Sequence, residues 1–430
     1  MLKSILTQIM NRKRSNGWVA AELFLVFIFV WFITDYFFVL ACNCAIPNHR
    51  SMAHTWQVSM APYPPVHPRY SAAEAGDEAM RASRERILGI LKNYPDVEAV
   101  AVTFISSDPE NRSAAGSPTL YGERDTAVSV RGQEVFIDAG EDFFRVFNYT
   151  SGDGGAAVSV HDFDWSAPGS VVIGRLAAER LYPGERATGK RLTRRPGDFD
   201  GAQVIAGVVD DIKRYDYERP QHAFYSADPA FHWGFGSISI RSSARIADGL
   251  FREAFMKEMP ARLQVGNFYF DEIIPYSRIS SETRERSGLG NAVRERAGLM
   301  IFLLLNVLLC VTGTFFYRVG TRLGETGIRM AMGASAAGIR RMFVVEGLLL
   351  LAVAALPAVA VELHLVLAGL IDTAGKTYVD KVFLPDRTAL RFVITNVVTW
   401  VVMASVIAAA VWIPARRAAG MAPAEALREE

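Results

Sequence analysis

The sequence predicts a membrane α-helical chain: four transmembrane helices, with a large α/β (α+β) extracytoplasmic domain between helices 1 and 2. Three observations predict it. Half of the 430 residues are hydrophobic, and the mean hydropathy of +0.16 is high for a soluble protein. Four apolar runs are each long enough to cross a bilayer. Between the first and second run lies a long polar stretch, residues 43–290, with strand and helix patterns of its own.

Residues 1–16 are polar and carry a basic cluster, Lys3, Arg12, Lys13 and Arg14. Trp18 to Ala41 is the first span (transmembrane segment 17–41), and the basic flank puts the N-terminus in the cytoplasm. A cleavable signal peptide competes with this reading, and Val39-Leu-Ala-Cys42 resembles a lipoprotein cleavage box. The run is longer than a signal core, which favours a span. Asp35, near its outer end, is either a polar terminus at the headgroups or a contact inside a helix bundle.

The extracytoplasmic domain with its stalk covers residues 42–293. Pro47 to Tyr70 is rich in Pro and His and reads as irregular. Ala72 to Leu91 has helical spacing, and Val97 to Ile105 is a β-branched strand. Asn111 to Thr119 is a Ser/Gly/Pro loop, and Ala127 to Ile137 alternates as a strand or hairpin. Ser170 to Ile173 is a strand leading into a helix at 175–181. Further strands fall at Gln203 to Asp210, Ser237 to Arg241 and Val265 to Ile273, with a helix at Ala244 to Met259. Ser280 to Arg296 is charged and helical, so the second span extends outward as a stalk.

The second span is 294–317, the third 343–371 and the fourth 392–413, ended by Pro414. Between them come a cytoplasmic loop, 318–342, and a short periplasmic loop, 372–391. A cytoplasmic tail, 414–430, follows. Arginines 318, 322, 329, 340 and 341 fit the cytoplasmic side for the first loop. Positive residues also flank the other side: Arg294, Arg296, Lys376, Lys381, Arg387 and Arg391. In the third span, Glu346 and Glu362 are costly in lipid and should face protein, with Glu346 near the headgroups. Pro357 should kink this span. Ala404/Ala408 and Ser405/Ala409 give the fourth span small residues four apart, a spacing that permits close helix approach.

The most informative stretch is the loop segment Arg322-Leu-Gly-Glu-Thr-Gly-Ile-Arg-Met-Ala-Met-Gly-Ala-Ser335. As a helix it places Arg322, Glu325 and Arg329 on one face and Ile328, Ala331 and Met332 on an adjacent stripe. Gly333 is placed to stop it and Ser335 to cap the next helix. A short amphipathic helix held at a membrane surface suits docking to a partner protein.

Catalytic signatures are missing. There is no G-x-x-x-x-G-K-[ST] phosphate loop and no H-E-x-x-H. The seven histidines show no ligand pair at helical spacing. Gly152-Asp-Gly-Gly-Ala-Ala157 matches a dinucleotide loop only superficially. Asp210-Asp211 could touch a cation, but a solvated strand end is the favoured reading. Cys42 and Cys44 are too close for an ordinary mutual disulfide, so the three cysteines form no disulfide framework. A formal net charge of +1 argues against a nucleic-acid partner.

The stretch Arg322 to Ala334, followed by Phe343-Val-Val-Glu346-Gly347, resembles the hallmark of FtsX/MacB-type ABC transporter permeases. Pro414-Ala-Arg416-Arg417 and Pro423-Ala-Glu-Ala-Leu427 resemble that family's ending. Ser170-Val-Val-Ile-Gly-Arg-Leu-Ala and Val204-Ile-Ala-Gly-Val-Val-Asp resemble its MacB-type periplasmic core domain. Thr326 and Met330 stand where the family often has Ile and Arg. The resemblance implies a permease subunit with no catalytic, cofactor or metal site of its own. Energy would come from a separate ATPase subunit that binds ATP-Mg and docks on a coupling helix containing Arg322, Glu325, Gly327, Ile328, Arg329 and Gly333. It also implies a second permease copy or paralogue as dimer partner, contact with membrane lipids and with a periplasmic adaptor or outer-membrane component, and residence in the bacterial inner membrane. Efflux and mechanotransmission both fit this layout. The alternatives are an energy-independent receptor or scaffold, which would work without an ATPase, and a membrane enzyme, for which the acid/base or metal cluster is missing.

Overall fold

The computed structural model describes residues 13–103, 107–109, 116–151, 157–227, 237–370 and 383–420. The basic residues Lys3 and Arg12, most of the 111–119 loop, the Gly152 turn, Lys376, Lys381 and Pro423 to Leu427 lie outside them. The chain forms two compact units. Residues Ile46–Gly288 make an inter-span domain, and the segments on either side of it make a helical unit.

Among the described residues, the helical unit holds four helices long and apolar enough to cross a membrane. Span 1 is Lys13–Ala45, span 2 Leu289–Gly320, span 3 Ala336–Leu367 and span 4 Thr388–Gly420. All four helices start earlier than the apolar runs that announce them. Capped and charged turns continue a helix that hydropathy alone cannot detect. Span 4 does not stop at Pro414 but continues to Gly420. Proline removes one backbone donor and frees the carbonyl four residues back. That carbonyl, on Ala410, accepts a hydrogen bond from Thr312 Oγ1 of span 2 at 3.2 Å. A neighbouring helix thus satisfies the group that Pro414 orphans. The stalk is also not continuous with span 2. A helix ends at Arg286, Gly288 takes φ +72°, and span 2 begins at Leu289.

The inter-span domain opens with β1 (Thr55–Pro62), α1 (Asp77–Lys92) and β2 (Val97–Thr103). Then come β3 (Thr119–Gly122), β4 (Ser129–Arg131), β5 (Gln133–Ile137) and the single turn α2 (Phe143–Val146). Next are β6 (Val171–Gly174), α3 (Arg175–Leu181), β7 (Arg191–Thr193), β8 (Gln203–Val209) and β9 (Ala223–Ala227). β10 (Ser237–Ser242), α4 (Asp248–Arg262), β11 (Phe268–Pro275) and α5 (Tyr276–Arg286) complete it.

Two sheets result. One is antiparallel in the order β11-β1-β10-β2. In β2, Val100 and Val102 point to a core shared with α1 and α4, while Ala99 and Ala101 point to a second core built on Phe143, Phe144 and Phe147. The period-two alternation of a strand buried on both faces produces this division. β1 corrects the irregular reading of Pro47 to Tyr70. It pairs on both sides, and Trp56 and Val58 sit in the first core. The other sheet runs β4-β3-β7-β8-β6-β9-β5. Ala127 to Ile137 is no hairpin: β4 and β5 are its opposite edges, separated in sequence only by Gly132. A Cβ on Gly132 would lie 2.6 Å from His222 O, so only glycine permits this turn between edges.

Candidate functional site

The polar segment between spans 2 and 3 folds as α6 (Leu323–Ala331), a nine-residue helix. Gly333 adopts φ +95°, a left-handed conformation that ends the helix at little steric cost. Ser335 then caps span 3, its Oγ accepting from Gly338 N at 3.2 Å. Gly327 and Thr326 are buried, whereas Ile328 is 51% exposed and Met332 76% exposed. Glu325 accepts from Arg329 at 2.5 Å across one turn, on the exposed side.

Arg322 does not share that charged face. It occupies the N-cap position, and its side chain turns inward. Arg322 Nη1 donates to Glu346 Oε2 at 2.9 Å, and Arg318 Nη1 donates to Glu346 Oε1 at 2.9 Å. The three residues are 8%, 4% and 2% exposed. Glu346 faces protein, as its cost in lipid predicts, and joins the end of span 2, the start of α6 and span 3. Arg318 also lies 5.1 Å from the ring centroid of Phe315. At the other end of α6, Arg329 Nη1 lies 2.8 Å from Met342 Sδ in span 3. The short helix is therefore fixed to span 3 at both ends, with Leu323 and Met330 packed on the bundle core and Ile328 and Met332 left outward.

Beside Glu346, Gly347 sets the helix spacing. A Cβ there would lie 2.9 Å from Ile407 Cγ2, 3.1 Å from Val411 Cγ2 and 3.6 Å from Phe315 Cζ. Spans 2 and 4 close on span 3 at this residue. Ser405 and Ala409, one of the small-residue pairs of span 4, are exposed instead. Gly347→Val is expected to destabilise the helical unit by about 1–3 kcal/mol through overpacking, read as a lower unfolding temperature in detergent.

The far half of the bundle carries two more acids. Asp35 is inside the bundle, not a polar terminus. Arg391 of span 4 grips both its oxygens, with Nε to Oδ1 at 2.7 Å. One turn earlier, Trp31 Nε1 donates to Thr395 Oγ1 at 3.0 Å. Glu362 is fully buried, yet among the described residues it has no ion-pair partner and no donor at hydrogen-bonding geometry. The amide nitrogen of Asn396, which lies beside it, donates to Phe392 O.

In the inter-span domain, Asp210-Asp211 is not a solvated strand end. Asp210 is buried and held by Arg175 and by Thr150 Oγ1 at 2.7 Å. Asp211 Oδ2 accepts from Leu176 N at 2.8 Å, at the start of α3. Burial pushes its carboxyl up to about 7, against the lowering effects of the Leu176 hydrogen bond and nearby Arg175. Among the described residues no three His, Cys, Asp or Glu side chains gather as a metal site.

No protein-family model matches the chain, and no curated protein matches it. Solved structures do. A domain of a putative permease protein from Porphyromonas gingivalis is 15% identical over 52% of this chain and 91% of that one, with a TM-score of 0.30. The periplasmic region of MacB from Actinobacillus actinomycetemcomitans is 14% identical over 54% of this chain and 94% of that one, with a TM-score of 0.31. The extracellular domain of the noncanonic ABC-type transporter YknZ from Gram-positive bacteria is 16% identical over 51% of this chain and 100% of that one, with a TM-score of 0.27.

Proposed function

We propose that the chain is the membrane subunit of an ABC-type transporter whose energy comes from a separate ATPase docking on α6. The observation that carries this reading is the combination at α6: Ile328 and Met332 exposed on one side, and the buried Arg318–Glu346–Arg322 triad on the other. A docking helix needs a surface that a partner can cover and a root that does not yield when pushed. The triad supplies the root, because both arginines and the carboxylate are shielded from water and fully engaged. Movement of α6 is then passed to spans 2 and 3 together. In this reading the inter-span domain lies in the periplasm and receives that movement. Efflux or purely mechanical output would follow from what that domain binds. The subunit works as a pair of copies, since an ABC ATPase closes as a dimer.

The test uses the full chain in nanodiscs with co-expressed candidate ATPase subunits. Glu325→Arg reverses an exposed charge and places it beside Arg329. It should lower recovery of the ATPase about tenfold or more, equivalent to about 1.4 kcal/mol of docking energy. Folding should be unaffected, because the exposed Glu325–Arg329 pair contributes less than about 1 kcal/mol. Full ATPase recovery and stimulation by the variant would count decisively against docking at α6.

A further inference from the structure

The inter-span domain begins and ends in two segments that one loop holds together. This loop, 210–222, joins β8 to β9 and folds back on itself: Lys213 bridges Pro220, and Gln221 N donates to Ile212 O at 3.3 Å. Its first half grips the entering chain. Lys213 is 2% exposed, and its Nζ donates to Ile46 O at 2.8 Å. Lys213 N donates to Asn48 Oδ1 at 3.2 Å, and the buried Arg50 donates through Nη2 to Arg214 O at 3.1 Å. The tip of the loop reaches the leaving chain at the end of α5. Asp216 Oδ2 lies 3.6 Å from Arg284 Nη2, and the Tyr217 and Ser287 side chains are hydrogen-bonded.

The two grips differ in strength. On the entry side two of the three bonds have charged donors, on the buried side chains of Lys213 and Arg50, and such bonds are the stronger kind. On the exit side the ion pair is 67% and 58% exposed and its separation is long, so it contributes little. The start of α5 is anchored separately. Tyr276 is fully buried and its hydroxyl is 2.9 Å from Ser239 Oγ, but the last turn of α5 is polar and exposed.

We propose that loop 210–222 is a one-sided clasp: it stays fastened to the entry segment 46–50 and releases the last turn of α5, so that the domain's exit can move while its entry remains fixed. The clasp is a property of this domain alone. Its test requires no ATPase, so its outcome is separable from the docking reading.

The experiment is amide hydrogen exchange, followed by mass spectrometry, on the full chain in nanodiscs. The variant is Asp216→Asn with Tyr217→Phe. Asparagine still accepts from Asn48 Nδ2 but loses the charge that faces Arg284, and phenylalanine loses the hydroxyl that meets Ser287. Neither change alters the sequence of the peptide being read. Exchange in residues 280–288 should accelerate up to about fivefold, the population change that 1 kcal/mol produces, while 46–54 stays unchanged. The reciprocal variant, Lys213→Met, should accelerate 46–54. Unchanged exchange in 280–288 of the double variant would overturn the proposal, and so would equal acceleration of 46–54 and 280–288.

Discussion

Glu346→Gln is expected to destabilise the helical unit by about 3–5 kcal/mol, because it leaves Arg318 and Arg322 buried without their shared counter-charge. The argument turns on an asymmetry. Building a buried ion cluster costs so much desolvation that a well-packed apolar replacement of the whole cluster is often neutral. Removing one member alone strands the others. The triple variant Arg318→Met, Glu346→Met, Arg322→Met should therefore be more stable than Glu346→Gln alone. Glu362→Gln provides the internal comparison. That residue lies in the same helix and is equally buried, but no arginine among the described residues faces it. Amide replacement there strands no cation, so a shift of less than about 1 kcal/mol is expected. Thermal unfolding in detergent ranks the three variants. If Glu346→Gln proves no worse than Glu362→Gln, the triad is not the root of α6.

Much of this arrangement is legible in the sequence. The four apolar runs specify helices because twenty or so apolar residues leave the backbone no other way to satisfy itself in lipid. Gly333 and Ser335 mark the end of one helix and the start of the next through local backbone chemistry, so neither depends on tertiary context. Helical periodicity misplaces Arg322 because it treats all positions as if inside the helix. An N-cap residue lies outside that periodicity, and its side chain follows the nearest buried charge. Glu346 carries a signal, being an acid inside an apolar run that arginines precede, but its partners are 24 and 28 positions earlier. Gly347 stands out in the sequence only as part of a family motif, not as a packing position. Its role depends on Ile407 and Val411, which only the folded bundle brings near. β1 is hard to read from sequence because prolines and histidines on both sides hide the alternation of Trp56, Val58 and Met60.

The inter-span domain should lose stability as pH rises from about 4 to about 7, with Asp211 as the cause. Its carboxyl sits at about 7 in the folded chain against an ordinary 3.8, so the folded state holds this proton more tightly than the unfolded one. Stability falls with pH wherever the folded state binds more protons. The protonated form therefore contributes fully below about 4, the contribution fades through the window, and above about 7 no further loss occurs. A gap of this size corresponds to on the order of 4 kcal/mol. The structure explains why an acid remains in so unfavourable a position. Asp211 Oδ2 takes the Leu176 N–H at the start of α3, while Oδ1 meets no donor among the described residues and lies 2.5 Å from where a Cβ on Gly174 would be. The helix start needs an acceptor but not a charge. Asparagine offers the same acceptor without the charge, so Asp211→Asn should match the wild type only below about pH 4, exceed it modestly at pH 5 and exceed it most at pH 8. Urea unfolding of the full chain, with the inter-span transition followed at pH 5 and pH 8, reads the difference directly. A wild-type midpoint that is flat or rising between pH 5 and 8, or an Asp211→Asn variant with an unchanged pH slope, would show that another group controls this domain's acid response.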